Sequence, residues 1–219
     1  MMAKNKRITS SGIISNYMEF VLEHNSQPQT VYSFAKKYDF EEAEFYKHFG
    51  NFNALEQSIF KEFFDHAFML LEKSEDYNTF DSRNKLLSFY YTFFEILTMN
   101  RSYVVYVLKN QKDHLQKQRS LAKLKNRFTL FVEHLDISLF EVKQEQLEKV
   151  QMRSIQESAW LQLLITMKFW IEDTSPSFEK TDVFIEKAVN TSFDLIDIKP
   201  LRSIIDLGKF LFKEKMHMN

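Results

Sequence analysis

The 219-residue chain has no cysteine, which excludes disulfide bridges and thiolate metal sites and leaves the redox compartment open. Three glycines and three prolines leave little material for sheet turns or phosphate-binding loops, and no Walker, dinucleotide or G-x-S-x-G fingerprint occurs. No stretch approaches eighteen uncharged apolar residues, so no membrane-spanning helix is expected. The first residues, MMAKNKRITSSGIISNYMEF, have a basic start but no continuous apolar core before Asn16 and Glu19; the segment does not read as a signal peptide, and a cytoplasmic location is expected. Neither sign of charge dominates: 29 basic against 30 acidic groups give a net charge of -1, which predicts no general attraction to polyanions. The histidines, His24, His48, His66, His114, His134 and His217, form no HxxxH or HExxH arrangement, and no two acid-rich helices present a Glu-x-x-His pair of the ferritin type. No metal, no cofactor and no catalytic centre are therefore expected.

Leu, Phe, Glu and Lys fill the chain, while Val and Thr are sparse. The expected fold class is all-α, with enough length to bury a sizeable core. Residues 53 to 73 place Leu55, Ile59, Phe60, Phe63, Phe64, Ala67, Phe68 and Leu71 at helical spacing; residues 80 to 99 are apolar nearly all round, as suits a helix enclosed by others. A shorter helix is expected from Tyr103 to Leu108. Residues 115 to 140 carry Leu121, Leu124, Phe128, Phe131, Leu135 and Leu139 opposite Lys117, Arg119, Lys123, Lys125 and Arg127, a basic run read as a solvated face. Helices over 145 to 172 and 178 to 197, broken near Pro176, should pack antiparallel.

Near the N-terminus, TVYSFAKKYDFEEAEFYKHFGNFNAL (30 to 55) reads as two short helices, a turn and the start of a third, which is a helix-turn-helix pattern. Thr30 is placed to cap a helix burying Val31, Phe34 and Ala35. Tyr38, Asp39 and Phe40 form the turn, and the second helix buries Phe45 and Phe49. Gly50 is expected to end it at positive φ, with Asn51 capping the next helix.

This stretch resembles the DNA-binding segment of TetR-family repressors. Val31, Phe34, Ala35, Phe40, Phe45, Tyr46, His48, Phe49, Gly50, Asn51, Ala54 and Leu55 fall on family-like positions without a gap, and an amphipathic helix with Ile14, Tyr17, Met18 and Val21 precedes them. The resemblance implies a head over residues 1 to 52, a ligand-binding and dimerisation body over 53 to 197 and an amphipathic tail over 198 to 219. It implies a dimeric, non-enzymatic transcriptional regulator released from its operator by a hydrophobic ligand. By position, the implied DNA contacts are Thr30, Lys36, Glu42, Glu44, Tyr46, Lys47, His48 and Asn51, with Lys4, Lys6 and Arg7 as an arm reaching toward the phosphates. It also implies a ligand pocket among Phe89, Tyr90, Phe93, Phe94, Phe128 and Trp160. The implied homodimer face comprises Ala159, Leu163, Met167 and Trp170 on one helix and Phe184, Ala188, Ser192 and Leu195 on the next.

The sequence departs from the family pattern at the recognition helix. Glu41, Glu42 and Glu44 stand where the family has small, polar or basic residues; Asp39 replaces the turn glycine, and Phe52 replaces a lysine that often meets phosphate. Residues 1 to 60 hold six basic groups against seven acidic ones, a weak basis for neutralising phosphates. Carboxylates also suit a helix N-terminus facing water, and Glu42 or Glu44 has the chemistry to accept from a cytosine amine. A second resemblance therefore stands beside the first. In its acidic head, aromatic body (the whole chain has 23 Phe, 9 Tyr and 2 Trp) and basic amphipathic tail, the chain is similar to ubiquinone-biosynthesis accessory proteins of this fold, which bind lipid. That resemblance implies no DNA partner, an apolar small molecule or lipid in the body, and a membrane surface met by residues 200 to 215; the pattern there, Leu201, Ile204, Ile205, Leu207 and Phe210 rimmed by Lys199, Arg202, Lys209, Lys213 and Lys215, equally suits packing on the chain's own body or its dimer mate.

Overall fold

The computed structural model describes residues 7–110, 118–135, 137 and 145–197; the Lys4 and Lys6 arm and the tail beyond residue 197 lie outside them. Every regular element among the described residues is helical: α1 (Ser10–His24), α2 (Val31–Lys37), α3 (Glu42–His48), α4 (Phe52–Glu72), α5 (Ser82–Met99), α6 (Arg101–Asn110), α7 (Ala122–Glu133), α8 (Glu145–Glu172) and α9 (Glu179–Asp197), with short 3-10 turns at Tyr77–Thr79 and Pro176–Phe178. The fold is all-α. The chain divides into two compact units, Met1–Lys73 with Thr92–Phe128, and Ser74–Tyr91 with Thr129–Asn219. α4 falls in the same unit as the three helices before it.

The first unit is organised by its helix caps and an aromatic centre. Thr9 accepts from the Gly12 amide at 3.1 Å to start α1, and Thr30 forms a capping box with Ser33 at α2. Asn51 accepts from the Ala54 amide at 2.8 Å to start α4. Phe34, fully buried, touches the rings of Tyr17, Phe20, Tyr38, Phe40, Phe45 and Phe52, all at steep interplanar angles that favour edge-to-face attraction. Phe52 also stacks on Tyr17 at 5.4 Å. At the position where the sequence departs from a phosphate-facing lysine, Phe52 is half-buried, with its ring against Tyr17, Phe34 and Phe45.

Gly50 requires a correction. No glycine among the described residues has positive φ; α3 ends because Phe49 turns to extended backbone (φ -139°, ψ 132°) and buries its ring. The left-handed residue between α2 and α3 is Asp39, at φ 55°. Aspartate is among the few non-glycine residues that visit this region readily, so it replaces the family's turn glycine in conformation as well as in position.

Glu56 of α4 is 4% exposed and lies at the meeting point of several segments of this unit. It accepts from Tyr17 Oη at 2.8 Å, Gln27 Nε2 at 3.1 Å and Ser120 Oγ at 3.2 Å. Burial and the neighbouring carboxylate together push the Tyr17 and Tyr103 phenols well above their ordinary range. A carboxylate removed from water and held by donors on α1, on the α1–α2 connection and just before α7 ties those segments to one point. α1 also packs against α6.

In the second unit α8 and α9 run antiparallel, since Phe169 stacks on Phe184 at 4.5 Å while Gln162 meets Ser192 at 2.7 Å, pairing rising with falling numbers. Asp173 makes their connection. One of its oxygens accepts from the Ser175 amide and hydroxyl and the other from the Thr181 amide and hydroxyl, over 2.7 to 3.0 Å. That frame lets Ser177 and Phe178 adopt positive φ. Arg83 at the start of α5 clamps α9 by pairing with Asp194 at 2.7 Å and lying over the Phe193 ring.

Candidate DNA-binding head and ligand cavity

The α2–α3 pair presents a mixed surface. Tyr32 and Tyr46 are 60% and 52% exposed, so both aromatic rings face solvent. Arg7, Lys36, Lys47 and His48 are exposed as well. Thr30 and Asn51 spend their side-chain oxygens on helix caps. His48 brings Nε2 within 3.3 Å of the Ile8 carbonyl, which orients the ring against the start of α1.

Charge on this surface is largely compensated within the chain. Lys47 pairs with Glu44, whose side chain is only 12% exposed. Lys37 pairs with Glu23 at 2.7 Å and lies over the Phe20 ring at 4.8 Å; its hydrogen bond and charge hold the Glu23 carboxyl below the usual range. Glu42 accepts from Tyr46 Oη at 3.4 Å. Glu41 stands at the N-cap position of α3 but makes no capping hydrogen bond. Lys36 makes no ion pair among the described residues, which leaves it as an uncommitted cation of α2. Tyr32 stands off the buried Val31, Phe34, Ala35 stripe of α2, a spacing that marks it as a surface aromatic of this face.

The second unit holds a cavity of about 810 Å³, within the range of small-molecule sites. Its floor reaches the nearly buried Leu86 and Val132. Ile155, Ala159, Gln162 and Ile165 of α8 form one wall, and Phe184, Ala188, Ser192 and Leu195 of α9 form the other. Small side chains at Ala159, Ala188 and Ser192 hold the two helices close while leaving this space beside them. Lys187 also lines it, and no carboxylate does among the described residues.

The residues assigned to the pocket and to the dimer face from the sequence fall in different environments. Phe89, Tyr90, Phe93, Phe94, Phe128 and Trp160 are packed in the cores of their units and none lines this cavity. Burial raises the Tyr90 phenol well above its usual range. Of the eight dimer-face residues, Leu163, Met167 and Trp170 are buried in the protomer, whereas Ala159, Phe184, Ala188, Ser192 and Leu195 line the cavity. The apolar side chains left about half exposed on these helices include Leu161, Ile165, Val183 and Leu195.

Residues 85–211 match the family model of the Tetracyclin repressor-like, C-terminal domain, more than half of the chain. The chain belongs to the TetR family. No curated protein matches it. The matched segment contains the two walls of the cavity and runs to residue 211, so most of the basic amphipathic tail falls inside the TetR-like domain. The helix-turn-helix lies outside the match, and its assignment as a TetR-like head rests on the residues of α2, α3 and the caps around them. No described helix is long and apolar enough to cross a membrane, and no group of three or more potential metal ligands occurs among the described residues.

Proposed function

We propose that this TetR-family chain is a dimeric transcriptional regulator that binds operator DNA through α2 and α3 and is released by an apolar ligand held in its second unit. The observation that carries the reading is a helix-turn-helix that runs from the Thr30 cap of α2 to the Asn51 cap of α4, in a chain with a TetR-like C-terminal domain. Arg7, Lys36, Lys47 and the Tyr46 hydroxyl supply contacts for phosphate; Glu42 is the group placed to read a cytosine amine. A two-fold dimer would set two copies of α3 in successive major grooves. Ligand in the cavity would favour a different arrangement of the two heads. The decisive experiment is fluorescence anisotropy with the DNA upstream of the chain's own gene and a scrambled duplex of equal length, across a range of salt. Specific binding that weakens with salt supports the regulator; equal affinity for both duplexes sinks operator recognition.

The compensated charges favour a second reading, a TetR-fold lipid-binding accessory protein that has lost DNA. With Lys37 and Lys47 already paired to carboxylates, phosphate contact by either would have to break an existing ion pair. Absence of binding even at low salt would favour this reading. Deleting residues 200 to 219 should then abolish liposome association while leaving helicity intact; association that persists removes the tail from the account.

A further inference from the structure

We propose that Glu56 is a two-position latch beneath the helix-turn-helix: Ser120 holds it in the position seen, and Tyr103 of α6 is the spare donor that takes it in the other. Its consequence for function rests on reading α2 and α3 as the DNA-binding head. Every residue of the latch belongs to the first unit. The two carboxylate oxygens of Glu56 face different neighbours. Oε1 accepts from Tyr17 Oη of α1 at 2.8 Å and from Gln27 Nε2 of the α1–α2 connection at 3.1 Å, while Oε2 accepts from the buried Ser120 Oγ at 3.2 Å. Tyr17 carries the contact into the head, because its ring stacks on Phe52 and meets Phe34 edge-on. A shift of the carboxylate is therefore felt by α1 and by the segment that leads into α2.

Tyr103 supplies the second position. Its side chain is fully buried, yet its hydroxyl meets no hydrogen-bond partner among the described residues. α6, which carries it, packs against α1. Burial first, and then the charge of Glu56, raise its phenol above the ordinary range, which sets Tyr103 beside that carboxylate. A buried hydroxyl without a partner costs stability, and such groups are rare in native folds. Next to a carboxylate, which strengthens any hydrogen bond it accepts, the phenol is a ready donor. Once Ser120 withdraws, Tyr103 completes the bonding of Oε2. The turn of the carboxylate toward α6 then draws Oε1 off Gln27, the longer of its two bonds.

The test compares the full chain with Ser120→Ala, Tyr103→Phe and the double variant, by urea unfolding and by amide hydrogen exchange, with no DNA or ligand added. Each substitution removes one hydroxyl and keeps the shape of the core. In the parent chain Tyr103→Phe should leave the unfolding constant unchanged or lower it, since no bond is lost. In Ser120→Ala the same change should raise that constant about tenfold, because there Tyr103 holds the carboxylate. Exchange separates a latch from plain packing. Ser120→Ala should speed exchange of the amides from Gln27 to Phe34 by about fivefold or more. Adding Tyr103→Phe should restore the parent rate there, although the double variant is the least stable of the set. Tyr106→Phe, half-buried on the same helix, is the control and should alter neither readout. An effect of Tyr103→Phe that is the same in both backgrounds, or exchange at those amides that Ser120→Ala leaves unchanged, would overturn the proposal. With no duplex in the experiment, that failure leaves operator binding untouched, and a failure of operator binding leaves the latch standing.

Discussion

Asp39 and Gly50 show how a single backbone angle can be misassigned from composition. Glycine is the default occupant of left-handed backbone, so a glycine after a helix reads as its cap. Here the left-handed angle between α2 and α3 falls on Asp39, and a Cβ added at Gly50 would meet nothing within 4 Å. Gly50→Ala should therefore raise stability by about 0.4–1 kcal/mol through the unfolded chain, measured by urea denaturation; a loss of stability would show that this position needs glycine after all. Asp173 offers a test by pH. Burial works to raise its pKa, but the hydroxyls and amides of Ser175 and Thr181 outweigh that and bring it down to about 2. A depressed carboxylate stabilises the fold above its unfolded pKa, near 4, and loses that contribution as pH falls toward 2. The melting-temperature gap between wild type and Asp173→Asn should accordingly be full at pH 5 and shrink from pH 4 to pH 2; a gap independent of pH would mean that the charged form is not what the loop holds.

The helices themselves were largely legible. Apolar spacing and the break at Pro176 place the last two at 145 to 172 and 178 to 197, against Glu145–Glu172 and Glu179–Asp197 in the structure. The caps at Thr30 and Asn51 were equally plain, because their side-chain chemistry is local. What periodicity cannot say is which neighbour covers an apolar stripe. Phe93 and Phe128 look like pocket walls and are packed core, whereas Ala159 and Ala188 look like a helix seam and line a cavity. The difference lies in helix arrangement, to which a hydrophobic pattern on one helix is blind. Element-level chemistry also identifies a weakness in α3. Glu41 occupies its N-cap without a capping bond, where the family has serine. Glu41→Ser should supply that bond and stabilise the head by about 0.5–1 kcal/mol. It also removes one carboxylate from the proposed DNA surface, so duplex affinity should rise along with thermal stability; a rise in stability alone would argue that this face does not meet DNA.

At the scale of the whole molecule, the unresolved pressure is apolar surface. Leu161 and Ile165 remain 57% and 49% exposed on α8, and Val183 and Leu195 are about half exposed on α9. Four such side chains on two adjacent helices exceed the scattered exposure usual for a monomer and suit an isologous two-fold contact. A dimer would also offset the electrostatic weakness of the proposed DNA-binding head, since two linked copies of α3 would bind jointly where one alone would not. Sedimentation should accordingly give twice the 26.3 kDa chain mass. Leu161→Asp with Ile165→Asp should yield a monomer of unchanged helicity, because both side chains sit at the surface and their loss removes little from the core. Those residues also edge the cavity, so mass and not ligand affinity is the readout. Operator affinity should fall at least a hundredfold in the same variant, as one half-site contact replaces two. A variant that stays dimeric would move the two-fold axis off these helices; one that becomes monomeric yet keeps full affinity would mean that each head binds DNA independently, and would remove the dimer from the mechanism.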